Sequence, residues 1–425
     1  DMQGRLQGKR CDAAFFLEHV VGHSVEACDY LLAVDVEMAT VGGYQLSSWE
    51  GGYGDLVLRP DLATLRPLPW HPGTVMCHAD LEHHDGRPVE PSPRQVLRRQ
   101  VARLAERGWH GLAGTELEFM VFTDSYEAAW DAGYKDLTPV TRYNVDYSVL
   151  GTARVEPLLR RIRREMAAAG MCVESAKGEC NRGQFEISLR YSGLLDKCDE
   201  HVVYKSGAKE IAAQEGVSLT FMAKYDEREG NSCHVHLSLV DDGGAPVFAR
   251  DGDGAMSATF EHFVAGLLAT TSELALLGAP NVNSYKRYVP GSFAPTAIAW
   301  GRDNRTCAYR VVGEGASLRV ESRLPGGDVN PYLVVAALVA GGLHGVEHEL
   351  ALAPPITGNA YGDDRLARVP SSLADAAARF DRSDVARAAF GDEVVDHYVR
   401  MATVELESFG AAVTDWERVR GFERL

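Results

Sequence analysis

The chain has 425 residues, a net charge of −17 at pH 7 and 45% hydrophobic residues. That length exceeds one ordinary small domain and allows a large buried core, and the acidic balance argues against a basic nucleic-acid-binding surface. No apolar run reaches the length of a membrane span, no secretory signal is evident, and the eight cysteines form no CxxC pair. We therefore expect a reduced, cytoplasmic protein that binds neither nucleic acid nor membranes.

Residues 1–92 are predicted to form a small N-terminal domain of short strands and Gly-rich turns. The strand-like segments are 30–38 (YLLAVDVEM), 54–60 (GDLVLRP) and 73–81 (GTVMCHADL). A helix is predicted next, over 91–108, where Pro and Ser precede apolar residues at helical spacing, namely Val96, Leu97, Val101 and Leu104. The first domain is therefore expected to end near the start of this helix.

Residues 93–425 are predicted to form a second, larger domain that mixes strands and helices. Strands are predicted at 115–122, 184–189, 234–240 and 317–324, and helices at 155–170, 262–277, 330–346 and 392–409. Polar and apolar residues alternate within the strands, so one face of the sheet is expected to be covered and the other to carry charged groups. The pattern indicates an α+β fold with an antiparallel sheet.

Charged side chains recur at every second position of these strands, which places them on one face of the sheet. They are Glu116 and Glu118, then His234, His236 and Ser238, then Arg319, Glu321 and Arg323. Taken singly, these patterns are typical of solvated glutamates, surface or core histidines and a salt-bridge ladder. Together they predict a site for hard divalent cations such as Mg²⁺ or Mn²⁺, and neighbouring arginines suggest a phosphate substrate.

The segment GECNRGQFEISL, residues 178–189, carries two further carboxylates, Glu179 and Glu186. At a spacing of seven they would point to opposite faces of a straight strand. Asn181-Arg182-Gly183 lies between them, and Asn and Gly tolerate the backbone angles of a turn or bulge. We therefore predict a break in the strand that lets both glutamates face the same site.

A Gly-, Pro- and Asn-rich segment at 279–310 supplies basic residues. They are Lys286, Arg287, Arg302, Arg305 and Arg310. The segment contains no GxxxxGK[ST] motif, so it is not a P-loop. Arginines fixed on such a loop suit bidentate binding of carboxylates and phosphates, although a solvated basic loop would have the same composition.

Six motifs, in order, resemble those of the class I glutamine synthetase family over nearly the whole chain. They are GTELEF, GECNRGQFEI, GNSCHVHLSL, NSYKRYVPG, APTAIAWGRDNRT and RVESRLPGGDVNPYL. The resemblance implies a β-grasp-like domain at 1–92 and a catalytic domain at 93–425, with a curved antiparallel sheet flanked by helices. It also implies active sites between neighbouring subunits of a double hexameric ring.

The resemblance assigns roles to individual residues. It implies that Glu118, Glu179 and Glu186 hold one metal and that Glu116, His234 and Glu321 hold a second. It implies that glutamate is bound by Gly230, Arg287 and Arg323. The residues implied for ATP are Tyr191, His236, Ser238, Arg305, Arg310 and Arg319. Two or three Mg²⁺ or Mn²⁺ ions are expected. The implied reaction joins glutamate to an amine through γ-glutamyl phosphate, with Arg305 and Arg323 stabilising the developing charge.

Three departures from the family pattern concern the incoming nitrogen. Gln45 stands where glutamine-forming members have an ammonium-binding Asp, Phe293 replaces a Glu of the flap, and Glu229 replaces an Asn before Gly230. We therefore expect a γ-glutamyl–amine ligase, with ethanolamine or a polyamine contacting Phe293 and Gln45. Glu229 and Asp55 are the candidates for the base that deprotonates the amine.

Two alternatives remain open, and a third enzyme class is disfavoured by the motifs. Other groups could replace the missing acids in a glutamine synthetase that uses ammonia, or the chain could form a non-catalytic ring. A related glutamate–cysteine ligase or guanidino kinase would lack the combination of NPYL and NSYKR. Tyr361 lies in GNAYGDD, without the surroundings of the family's adenylylated tyrosine, so we predict no control of that kind.

Overall fold

A computed structural model of the chain describes residues 1–250, 252 and 255–425. Its N-terminal part contains a three-stranded antiparallel sheet in the order β1-β2-β3. The elements are helix α1 (Ala13–Phe15), a π-helical turn (Phe16–Val20), β1 (Val25–Cys28), a 3-10 turn (Asp29–Leu32), β2 (Asp55–Pro67) and β3 (Val75–Glu82). Strands β2 and β3 confirm two of the three predicted segments.

The third predicted segment, 30–38, is wrong as a strand. Its first residues belong to the 3-10 turn Asp29–Leu32, and within the described part of the chain its ladder contact is limited to an isolated bridge between Val34 and Thr40. The apolar residues of this segment, Leu32, Ala33 and Val34, are fully buried. Burial of a turn from all sides therefore accounts for the apolar run that the sequence pattern attributes to a strand.

The larger part of the chain contains a sheet of nine strands within the described residues. The strands are β4 (Trp109–Phe122), β5 (Val173–Gly178), β6 (Gln184–Leu189), β7 (Ser192–Gly193), β8 (Ser218–Thr220), β9 (Cys233–Asp241), β10 (Trp300–Arg302), β11 (Tyr309–Val312) and β12 (Arg319–Ser322). Their order is β10-β11-β12-β9-β4-β6-β5, with β7 and β8 also paired to β4. All pairs are antiparallel except β10 with β11.

The central strand β4 follows the predicted alternation. Leu117 and Phe119 are fully buried in the core, while Glu116 and Glu118 point to the other face. The strand pairs with β9 over residues 109–117 and with β6 over residues 116–120. It therefore places its two glutamates between two neighbouring strands that also carry polar groups.

The described residues also form eleven further helices, several of which pack against strands of this sheet. They are α2 (Pro93–Ala105), α3 (Tyr126–Asp131), α4 (Val149–Ala153), α5 (Glu156–Ala168), α6 (Leu194–Gln214), α7 (Ala258–Gly278), α8 (Pro331–Glu347), α9 (Leu373–Asp381), α10 (Asp384–Phe390), α11 (Asp392–Ala411) and α12 (Asp415–Gly421). Short 3-10 turns occur at Val282–Arg287, Gly315–Ser317 and Ala360–Gly362. Helices α2, α5, α7, α8 and α11 confirm the predicted ones, and the division at residue 92 stays a prediction.

The sequence pattern does not reveal α6, which packs beside β4 and β8. Its buried face includes Lys197, Asp199 and His201, and each of these is almost inaccessible to solvent. Charged residues on a buried face erase the polar-to-apolar contrast on which helix prediction from periodicity depends.

The helices of the described residues do not have the properties of a membrane span. None of those helices is both long enough and apolar enough to cross a bilayer.

Candidate active site

The polar face of the large sheet carries the predicted ligands on five adjacent strands. Across the ladders, Glu118 lies opposite Glu186, Glu116 opposite His234, Glu321 opposite His236, and Arg310 opposite Glu321. Residues that face each other in an antiparallel pair have Cβ atoms about 5 Å apart. The sheet register therefore brings residues more than 200 positions apart in sequence into one cluster.

Two groups of potential metal ligands result. One contains Glu118, Glu179 and Glu186, and the other contains Glu116, His236 and Glu321; within each group the ligand atoms lie within 4.8 Å of one another. Carboxylate oxygens at such separations suit hard divalent cations. The grouping of Glu118, Glu179 and Glu186 agrees with the set that the family resemblance implies.

The predicted break between Glu179 and Glu186 is a hairpin turn. Strand β5 ends at Gly178, β6 begins at Gln184, and Gly183 has a φ of +71°, a conformation that glycine adopts readily. The Glu179 N–H donates to the Gln184 carbonyl over 2.9 Å, which closes the turn. The two glutamates thus belong to different strands, and both reach the same cluster.

The turn is tied to the neighbouring loop by two buried amides. Asn181 Nδ2 donates to the Glu229 carbonyl over 2.8 Å and to Asp226 Oδ1 over 2.9 Å. Gln184 Nε2 donates to the Gly230 carbonyl over 2.9 Å and to Glu118 Oε2 over 3.2 Å. These bonds fix the loop before β9 against the first group of carboxylates, so that Glu229 and Gly230 border it.

The carboxylates of the first group lie close together and are stabilised by a nearby positive charge. Burial raises the pKa of Glu186, and repulsion from Glu116 and Glu118 raises it further, against the opposing charge of Lys177. The Lys177 ammonium contacts Glu179 and lies 3.8 Å from Glu186 Oε2. The lysine ammonium thus balances part of the negative charge of this group. A divalent ion would fit the same oxygen donors.

Both histidines of β9 approach Glu116 in the second group. His234 Nδ1 lies 3.2 Å from Glu116 Oε2 and 3.6 Å from Glu321 Oε1, and His236 Nε2 lies 3.0 Å from Glu116 Oε1. Burial opposes ionisation of Glu116, but its bonds with the two histidines outweigh burial and hold its pKa below the ordinary value. The buried His234 Nε2 has no hydrogen-bond partner among the described residues. Geometry therefore allows either histidine as the nitrogen ligand.

Arginines surround this second group. Glu321 accepts from Arg323 Nη1 over 2.6 Å and from Arg310 Nη1 over 2.8 Å, while Arg319 Nε lies 3.2 Å from His236 Nδ1. Burial raises the pKa of Glu321, yet the charges of His234, Arg323 and His236 lower it overall. The positive groups are therefore fixed beside the ligands, where phosphate oxygens would find several donors.

The residues implied for glutamate lie at the adjoining end of the sheet. Arg287 is 2% exposed, and its guanidinium donates to the Leu324 carbonyl and the Ser232 hydroxyl, each over 2.8 Å. A Cβ on Gly230 would lie 2.2 Å from the Ala223 carbonyl oxygen and 2.8 Å from Arg287 Cγ. A side chain at this position would clash with these atoms. Only glycine therefore allows the backbone to lie so close to Arg287.

The implied nucleotide residues lie at the opposite end of the polar face. Tyr191 and His236 flank Gly114, since a Cβ on this glycine would lie 3.6 Å and 3.8 Å from their Cβ atoms. Ser238 follows on the same face of β9, and the Tyr191 ring is 57% exposed. Arg305 is exposed, and its Nη1 atom lies 3.9 Å from Asp303 Oδ1.

Two predicted site residues lie apart from this cluster. Gln45 and Asp55 are exposed in the N-terminal part of the chain, in the connection before β2 and at its first residue. In the part of the chain that the structure describes, no hydrogen bond or ion pair joins either residue to the two ligand groups. Phe293 is 54% exposed and lies six residues after Arg287.

Sequence reasoning missed the site roles of Lys177 and Gln184, and it predicted Asn181 only as part of the turn. The only signal for Lys177 is its position two residues before Glu179, which places both side chains on one face if β5 continues. It also missed Asp146, whose carboxylate lies 3.5 Å from Cys180 Sγ. No local pattern connects Asp146 to the site, because a loop rather than a strand brings it there.

Comparisons with known proteins match this geometry. A family model described as glutamine synthetase, catalytic domain, matches residues 90–420. The chain belongs to the glutamine synthetase family. Relatives of this glutamine synthetase family member include gamma-glutamylethanolamide synthetase GlnA4 of Streptomyces coelicolor, 64% identical over 100% of this chain and 91% of that protein.

Two further comparisons are informative. Glutamate–isopropylamine ligase of a Pseudomonas species is 37% identical over 99% of this chain and 93% of that protein. A solved structure described as a GmaS/ADP complex is 28% identical, with a TM-score of 0.79 over 87% of this chain and 86% of that one. The glutamine synthetase fold is thus confirmed, and family membership implies the use of ATP and a divalent metal.

Proposed function

We propose that this chain is an ATP-dependent ligase that forms a γ-glutamyl amide from glutamate and a small amine, either ethanolamine, which is the favoured acceptor, or a polyamine. One observation supports the proposal: glutamates at the positions that the resemblance implies for metal ligands lie in two close groups. Gln45 and Phe293 occupy the positions where the resemblance implies the acids that handle ammonium. The names of the relatives, which include ethanolamide and isopropylamine ligases, support this class of acceptor.

In the first step, a γ-carboxylate oxygen of glutamate attacks the γ-phosphorus of ATP, and the bond to the bridging oxygen of ADP breaks. Arg287 and the Gly230 backbone orient glutamate, and Arg310 and Arg319 direct positive charge toward the phosphate oxygens. Two or three Mg²⁺ or Mn²⁺ ions would supply charge neutralisation for the transferring phosphate. Arg323, fixed by Glu321, borders the same region.

In the second step, the amine nitrogen attacks the γ-carbonyl carbon, phosphate leaves, and the nitrogen loses a proton. Glu229 and Asp55 are the candidates for the base that accepts this proton. Glu229 is half-buried and directly precedes Gly230, so it borders the glutamate-binding end from within the same chain. Asp55 is exposed on β2 and would act only from a neighbouring copy.

The acceptor follows from the chemistry of Gln45 and Phe293. An amide and an apolar ring provide no charge complementarity for a small, strongly hydrated ammonium ion. A carbon-bearing amine can bury methylenes against the ring, at about 0.8 kcal/mol for each CH₂ group. The same features disfavour an ammonia-using glutamine synthetase, and the intact ligand groups disfavour a non-catalytic ring.

We also propose that the active form is a homo-oligomer, a double hexameric ring as in the family, located in the cytoplasm. Gln45 and Asp55 then complete the site of a neighbouring subunit, as expected from their exposure and their separation from the ligand groups. The eight cysteines, which are all free thiols, suit a reducing compartment.

A screen of acceptors tests the function. ADP release is followed with glutamate, Mg²⁺ and either ammonium, methylamine, ethanolamine, putrescine or spermidine, and each product is identified by mass spectrometry. We expect the highest kcat/KM with ethanolamine or a short polyamine, and a γ-glutamyl amide as product. The proposal would be contradicted if no amine in the screen caused ADP release. Formation of glutamine from ammonium with equal efficiency would also contradict it.

A further inference from the structure

Residues 288–294, here called the flap, connect the glutamate-binding end of the site to the loop before β10. At its start, Tyr288 Oη donates to the Leu324 carbonyl over 3.1 Å, the same oxygen that Arg287 contacts. Within the flap, Ser292 Oγ donates to the Val289 carbonyl over 2.7 Å. The first residues are therefore held by bonds that do not involve the far end.

The far end contains a strained residue. Phe293 has a φ of +61°, in the left-handed region that a bulky L-residue adopts only under constraint. The residue is nevertheless 54% exposed, so burial of its side chain contributes little to this conformation. Something next to the strained peptide must hold it.

Tyr361 supplies that contact. Its hydroxyl donates to the carbonyl of Ala294, the residue after Phe293, over 3.1 Å. Ala294 itself is only 3% exposed. The bond therefore fixes the Ala294–Pro295 peptide, one residue beyond the strained φ, and so limits the backbone on the C-terminal side of Phe293.

The loop that carries Tyr361 is itself firmly placed. The Tyr361 N–H donates to Asn359 Oδ1 over 3.0 Å, and the Ala360 N–H donates to Thr306 Oγ1 over 3.0 Å. Ala360 is fully buried against Cys307 in a small separate apolar cluster. The tyrosine hydroxyl is thus presented from a rigid support.

The hydroxyl also lies near the substrate end. Burial raises the pKa of Tyr361, and the charges of Arg323 and Arg287 oppose that rise. The cations implied for glutamate thus act on this hydroxyl.

We propose that Tyr361 is a positioning residue that holds Phe293 in its left-handed conformation and so keeps the flap closed over the acylphosphate. This inference rests on the proposed function. A closed flap excludes water, which would otherwise hydrolyse γ-glutamyl phosphate, and it presents the Phe293 ring to the carbon part of the amine. Tyr361 contacts neither substrate and acts through the Ala294 peptide.

The substitution Tyr361→Phe tests the proposal, because it removes only the hydroxyl. We expect glutamate-dependent ADP release without amine to rise about tenfold relative to amide formation, the typical value of one hydrogen bond. The preference for ethanolamine over ammonium should fall, while the KM values for ATP and glutamate stay unchanged. These readouts do not respond to a loss of stability alone.

Tyr126→Phe is the matched control. The hydroxyl of Tyr126 also donates to a backbone carbonyl, that of Leu219, over 2.9 Å, and it lies outside the site. We expect this variant to lower Tm to a similar extent without changing the ratio of ADP to amide. An equal change of that ratio in both variants would overturn the proposal.

A double substitution tests the route of the effect. Phe293→Gly removes the strain at this position, because glycine adopts a positive φ at little cost. In that background, Tyr361→Phe should change neither the ADP-to-amide ratio nor the amine preference further. An effect of undiminished size, or no effect of Tyr361→Phe on the wild type, would refute the positioning role. Failure of the wild type to make any γ-glutamyl amide would instead refute the proposed function.

Discussion

At the scale of single residues, the proposed amine preference depends chiefly on Phe293. Two buried methylenes are worth about 1.6 kcal/mol, or about a tenfold preference over ammonium. Phe293→Glu restores an acid at this position, so we expect ammonium use to rise about tenfold relative to ethanolamine. The ratio of the two kcat/KM values measures the change. Phe293→Leu, which keeps an apolar side chain, should preserve the ethanolamine preference, and equal ratios in all three proteins would exclude the role of Phe293.

The carboxylates give a second prediction at this scale. Glu118→Ala and Glu321→Ala each remove a ligand from one of the two groups, and both are expected to abolish ATP turnover and weaken Mn²⁺ binding in calorimetric titrations. Glu174→Ala, at an exposed position on β5, serves as the control and should bind Mn²⁺ normally. Near wild-type turnover of either ligand variant under limiting metal would contradict the two-metal assignment.

Polar and apolar residues alternate along the strands, and this pattern predicted that Glu116, Glu118 and Glu321 share one face of the sheet. The prediction was possible because a strand fixes side-chain direction locally. It could not predict the ammonium of Lys177 within the first group, since that depends on the register between β5 and β6. It also could not decide between His234 and His236, because both lie on one face and both reach Glu116.

At the scale of elements, a buried ionic network joins the N-terminal sheet to the helices. Arg94 of α2 donates to Asp199 of α6 at 2.9 Å, to Asp61 of β2 at 2.8 Å and to Asp80 of β3 at 2.6 Å. Burial opposes the charge on Arg94, but these carboxylates outweigh it and raise its pKa. The spacing of apolar residues did not reveal α6, because charged residues such as Asp199 make its buried face resemble a polar one.

Arg94→Leu is expected to destabilise the protein strongly, because Asp199, which is 1% exposed, loses its guanidinium partner and keeps only the Tyr332 hydroxyl at 2.6 Å and His78 at 4.0 Å. Removal of one partner from such a network costs about 3–5 kcal/mol. The urea midpoint measures the loss. Arg98→Leu is the control, since Arg98 binds Asp61 and Asp80 from a more exposed position and should cost about 1 kcal/mol or less. Equal midpoints for the two variants would contradict the assignment.

At the scale of the whole molecule, large apolar side chains remain exposed on a single chain. Examples are Trp49 at 75%, Leu150 at 79% and Phe422 at 89% exposure. Apolar residues exposed on one chain are available for contacts between copies, although single exposed residues also occur on monomeric proteins. The sequence motifs predicted the fold through family resemblance, but contacts between copies depend on surfaces that no local pattern describes.

Activity should therefore depend on assembly. Because Gln45 and Asp55 lie apart from the ligand groups within one chain, we expect active material to be larger than the 46.3 kDa of one chain. Light scattering coupled to size-exclusion chromatography, with ADP release assayed across the fractions, measures this. Full activity in a species of 46.3 kDa would show that one chain builds a complete site.

The most direct test of the amine-ligase function is a competition. Wild-type protein is incubated with glutamate, ATP, Mg²⁺ and equimolar ethanolamine and ammonium, and the two amide products are quantified together by mass spectrometry. We expect γ-glutamylethanolamide to exceed glutamine by about tenfold or more, the preference that burial of two methylenes alone provides. Glutamine in equal or greater amount would show that the chain is an ammonia-using glutamine synthetase despite Gln45 and Phe293.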